Sequence, residues 1–118
     1  MINSDKERLL DRAEVMEAIL EAEINSLNNQ INRNKEAIAK MEAEFTASEE
    51  DSYIAAVDYG MSEEEARKQA DTLHQENQSN EAYIRSKQLL KEEELRLANL
   101  KLDREIYLYY LNNNEEAE

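Results

Sequence analysis

The sequence predicts an all-α protein, and three observations carry that prediction. Proline is absent and Gly60 is the single glycine among 118 residues, so the chain holds almost nothing that stops a helix. Glu, Lys, Leu, Ala, Arg and Gln, all strong helix formers, dominate, while β-branched residues are few. Apolar residues recur at steps of three and four over long stretches, which is the period of a helix face. The length bounds the chain to one helical domain over residues 1–118, since domains run to roughly 100 to 200 residues.

The first helix is expected over about residues 4–47. Ser4-Asp5-Lys6-Glu7 has the capping-box form, in which the serine oxygen accepts a free backbone N–H and the glutamate reaches back to another. Leu9, Ala13, Met16, Leu20, Ile24, Leu27, Ile31, Ile38, Met41 and Phe45 then trace a coiled-coil seam. Ile24, Ile31, Ile38 and Phe45 share one seam position, and Leu27, Asn34 and Met41 share the other. Asn34 is the polar member. There it weakens packing but sets register, because a shifted pairing strands its amide.

A short helix or turn is expected near residues 48–61, closed by Gly60, which suits the left-handed position that ends a helix. Ser62-Glu63-Glu64-Glu65 is a second capping box with three acids in its first turn, where the helix dipole favours them. A second long helix follows over about 62–112, with a weak point near 76–80, and residues 113–118 read as a helix stop and acidic tail. This helix is apolar on two sides. Ile84, Leu95, Ala98, Leu102, Ile106 and Tyr109 fall on one face; Leu89, Leu90, Leu97, Leu100, Leu108 and Leu111 fall roughly opposite. Packing one face on the first helix leaves the other uncovered, so the expected architecture is a long helical hairpin that dimerises into a four-helix assembly. Leu90, Leu97, Leu100, Leu108, Tyr109, Tyr110 and Leu111 are the expected self-association or partner-binding residues.

Composition narrows the function. The 28 acidic and 14 basic residues give a net charge of −14, which repels nucleic acid and anionic membrane, so direct contact with either is not expected. There are no cysteines, the N-terminus lacks a signal-peptide core, and no apolar run is long enough to span a bilayer; a cytoplasmic protein is expected. No metal, cofactor or catalytic residue is expected. His74 is the only histidine, and Asp71 three residues before it is one copy of a spacing that metal-binding bundles need twice. The acids around residues 49–65 lack the alternating ligands and central glycine of a calcium loop, and one glycine cannot build a phosphate-cradling loop. An enzyme is therefore not expected.

Half of the net charge sits in the middle, where residues 48–80 carry 9 acids and 2 bases. Glu7, Asp11, Glu14, Glu17 and Glu21 form a row along the first helix, expected on the side away from the seam. With Glu49, Glu50, Asp51, Glu63, Glu64 and Glu65, they are the expected acidic partner-binding residues. Carboxylates about 5 to 10 Å apart on a rigid helix are spaced like phosphates along a strand. The favoured expectation is therefore an acidic, DNA-mimic inhibitor occupying the basic nucleic-acid-binding surface of a protein partner such as a nuclease. Its composition is similar to that of small acidic helical anti-defence inhibitors made by phages and mobile elements. The rival expectation is a coiled-coil scaffold, assembly adaptor or holding chaperone acting through apolar helix surfaces.

Overall fold

A computed structural model describes the backbone of residues 2–116 and the side chains of 7, 8 and 11–113. It is all-helical among the described residues: α1 spans Ile2–Asp58, α2 Glu63–Gln78 and α3 Glu81–Glu116. The side chains of Ser4 and Leu9 and residues 117–118 of the acidic tail lie outside what is described.

Three boundaries differ from the sequence expectation. Ser4 lies inside α1, because no proline or glycine before it forces the chain out of helical angles. Helix α1 also continues through residues 48–58, with no separate short helix. Ser48, a weak helix former, is accommodated there by its hydroxyl donating to the Phe45 carbonyl at 2.9 Å. The turn comes at Gly60, which has φ +92°. Gly60 N–H donates to the Val57 carbonyl at 3.0 Å and Met61 N–H to the Ala56 carbonyl at 3.1 Å, the paired bonds of a Schellman motif.

The second helix is broken in two, near the weak point expected at 76–80. Ser62 starts α2 in extended conformation, and its Oγ accepts the Glu65 N–H at 3.2 Å. At the far end Ser79 N–H donates to the Gln75 and Glu76 carbonyls, both at 3.1 Å, and the helix stops. Asn80 then begins α3, its Oδ1 accepting the Tyr83 N–H at 3.1 Å. The polar run from His74 to Asn80 offers little seam to hold a straight helix, whereas the asparagine offers a cap. Helix α3 continues to Glu116, past the stop expected at 112, since asparagine disfavours a helix without ending it.

The chain divides into two compact units: residues 1–31 with 92–118, and residues 32–91. In the first, α1 and α3 run antiparallel, for Glu17 meets Arg104 while Leu27 and Leu100 line one groove. Ala13, Ile24, Leu27 and Ile31 are buried there. In the second, Ile38, Ala56, Ala66 and Tyr83 are buried, Ala66 completely, and a methyl side chain lets the helix backbone at that point pack close. The seam follows the expected heptads with one correction. Met16 is 50% exposed, and Glu17 takes the half-buried place beside Leu20. Seven-residue steps back from Ile31 and Ile24 reach residue 17, so the repeat held its phase where the apolar residue slipped by one.

Candidate interaction surfaces

The carboxylates divide into engaged and free-standing sets. Glu17 is not on an outward row: it lies on the seam line with an oxygen 3.6 Å from an Arg104 nitrogen. Glu49 is half-buried, its Oε1 lying 2.7 Å from His74 Nδ1 and accepting from Asn77 Nδ2 at 3.4 Å. His74 keeps a side chain 58% exposed while making that pair. Glu7, Asp11, Glu14 and Glu21 are exposed on α1, as are Glu50 and Asp51. Glu63, Glu64 and Glu65 are exposed in the first turn of α2, where the helix dipole already favours negative charge. Asn34 is half-buried between Ile31 and Ile38 in sequence.

Within the first unit, the two apolar faces of α3 have different fates. Leu97, Leu100, Leu108 and Leu111 are half-buried, as is Leu90 in the second unit. These leucines lie on the covered side. The uncovered stripe is the other one: Leu95 is 65% exposed, Leu102 53%, Ile106 46% and Tyr109 63%. Periodicity finds both stripes but cannot choose between them, since they carry similar numbers of large apolar side chains. Leu89, grouped with the covered set by angle, is exposed. Tyr109 and Tyr110 stand exposed together, rings edge to face with centroids 6.0 Å apart, while Tyr107 is half-buried.

A second apolar patch of this unit lies on α1. Val15, Met16 and Ile19 are exposed, and Asp11, Arg12, Val15 and Met16 line a groove of about 470 Å³ with Tyr107. Sequence reading missed Val15 and Ile19, although their four-residue step off the seam was visible. In the second unit, Thr46, Glu49, Glu50, Tyr53, Ile54, Arg67 and Ala70 line an open groove between α1 and α2.

Among the described residues, no group of three or more histidines, cysteines, aspartates or glutamates is placed to hold a metal ion. No helix among them is long and apolar enough to cross a membrane. No family model, curated protein or solved structure matches the chain.

Proposed function

We propose that the protein is a non-catalytic interaction protein, an adaptor or scaffold that works through apolar helix surfaces. The observation that carries this reading is the outer stripe of α3. Four large apolar side chains, Leu95, Leu102, Ile106 and Tyr109, are each at least 46% exposed on one helix face. A continuous apolar stripe in water is rarely left uncovered, and its three-and-four spacing is what a partner helix reads. The functioning architecture we propose is a helical hairpin that joins with another into a four-helix assembly, in a cytoplasmic setting.

A second reading keeps the acidic, DNA-mimic inhibitor of a basic nucleic-acid-binding protein. What favours it is the exposure of Glu7, Asp11, Glu14 and Glu21 on α1 and of Glu63 to Glu65 on α2. It ranks second because Glu17 and Glu49 are engaged within the fold and the α2 acids serve its N-terminus.

A tagged pull-down from nuclease-treated lysate, eluted with a salt gradient, separates the two. Capture through α3 survives high salt and is lost in Leu102→Asp or Tyr109→Ala. Capture through carboxylates collapses as salt rises and in a Glu14→Gln, Glu21→Gln, Glu63→Gln combination. The adaptor reading is abandoned if the α3 variants retain full capture.

A further inference from the structure

We propose that the groove between α1 and α2 docks an amphipathic helix of a partner protein, one with an apolar face between lysine- or arginine-bearing edges. The surface belongs to the second unit and shares no residue with the α3 stripe, so it stands or falls apart from that reading. The α1–α2 hairpin has two flanks of different chemistry. On one, Ser52, Lys68, Gln69, Thr72 and Glu76 surround Leu73, a polar surface that water covers. On the other, Thr46, Tyr53, Ile54 and Ala70 line an open groove of about 400 Å³. Ile54 is 55% exposed there, and Val57, one turn further along the same side of α1, is 38% exposed. The hairpin buries Ala56 and Ala66, small side chains that leave these larger apolar groups outside its own core.

Charge selects the occupant. Residues 48–80 carry 9 acids and 2 bases. Of the two bases, Lys68 lies on the polar flank, and Arg67 lines the groove facing an α1 wall that holds the exposed Glu50. Glu63 and Asp71, each four residues from Arg67 and so on its side of α2, are exposed as well. The groove is thus apolar along its floor and mainly acidic along its rims, which complements a helix whose apolar face runs between cationic edges. A second copy of this chain brings the same acidic rims and is repelled, as is nucleic acid. The walls are set in advance: His74 Nδ1 lies 2.7 Å from Glu49 Oε1 across the two helices, and the hydrogen-bonded turn at Gly60 joins them, so docking orders little backbone. Helix α2 has 16 residues, enough to seat about 24 Å of partner helix. Acidic rims speed encounter while the apolar floor holds the bound helix, so salt lowers the association rate more than it raises the dissociation rate.

The probe is a fluorescein-labelled synthetic helix of about 18 residues, with leucine along one face and lysine on both edges, titrated with the full chain and read by anisotropy. A glutamate-edged form, and a scrambled form with the same lysines and leucines but no apolar face, are the comparisons. The lysine-edged helix should bind about tenfold or more tighter than either. Ile54→Asp, with unchanged helical circular dichroism, should weaken that binding about tenfold. The variant adds negative charge to an acidic surface, so the loss reports the apolar floor. Glu50→Lys combined with Asp71→Lys should slow association more than it speeds dissociation. Leu102→Asp, in the other unit, should bind as the native protein does. Equal binding of the scrambled form overturns the proposal, because it marks general attraction to a polyanion. Equal binding of the glutamate-edged form overturns it too, since charge then selects nothing. Binding that is kept in Ile54→Asp and lost in Leu102→Asp overturns the groove as the site and supports the α3 surface instead.

Discussion

The hydroxyl of Tyr83 donates to Glu42 Oε1 at 3.0 Å, tying α3 to α1 within the second unit. The Tyr83 ring meets Phe45 edge to face at 5.3 Å, and Lys87 Nζ lies 4.9 Å from its centroid. The tyrosine is 4% exposed, and its own N–H is held by Asn80, so one residue joins a helix start to a helix packing.

This arrangement predicts an alkaline weakness. The hydrogen bond to Glu42, then burial, then the carboxylate charge hold the Tyr83 hydroxyl above its ordinary pKa. The raised value means that the unfolded chain releases this proton first. The contribution is complete below about pH 10 and is lost as pH rises through the raised pKa. Thermal melts from pH 7 to 11 should show the native protein losing more stability above pH 10 than Tyr83→Phe does. In an ultraviolet titration, Tyr83→Phe should remove a component that ionises above the ordinary tyrosine range. Equal alkaline slopes in the two proteins count against the assignment.

Gly60 predicts a backbone effect without a steric one. Its φ is +92°, and a Cβ built there meets nothing within 4 Å. Gly60→Ala therefore costs about 1 kcal/mol through conformation alone, a fall of about 4 °C in Tm. Gly60→Asn, which tolerates left-handed angles better, should recover part of it. Identical melting of all three proteins excludes the Schellman turn as drawn.

Asn80 predicts a local break in α3. Its Oδ1 cap on the Tyr83 N–H should be worth about 1 kcal/mol, and Asn80→Asp should keep it while Asn80→Ala loses it. Amide exchange is the informative readout, since Asn80→Ala should speed exchange at the first turn of α3 before it affects α1. Uniform acceleration across the chain points instead to a global effect.

How much of this was legible follows from which interactions are local. The helix class, the turn at Gly60 and the Ser62 cap depend on residues within five positions of each other, and sequence shows them. The continuity of α1 past residue 48 was obscured by a polar run, although Tyr53 and Ala56 prolong its buried side. The Tyr83 to Glu42 bond joins positions 41 apart, and nothing local announces it. Asn80 was readable as a cap, but a cap inside a helix-favouring stretch competes with continuation, and only tertiary packing decides. The two stripes of α3 were found by periodicity, and the choice between them lies in how α1 presents its own seam.

That choice predicts that Ile31 and Leu102 answer to different variables. Ile31 is 4% exposed in the first unit, and Ile31→Ala should cost about 2 to 5 kcal/mol through lost burial and the cavity left behind. The loss belongs to the fold of the single chain and should be similar at every protein concentration. Leu102 is 53% exposed, and an exposed substitution away from any cap or core usually changes monomer stability by less than about 0.5 kcal/mol. If a second copy covers it, mass action adds stability that grows with concentration. The native Tm should then rise across a hundredfold dilution series read from dilute to concentrated, while that of Leu102→Asp stays level. Parallel concentration dependence in both proteins assigns any self-association to another surface, of which the Val15, Met16 and Ile19 patch on α1 is the next to test.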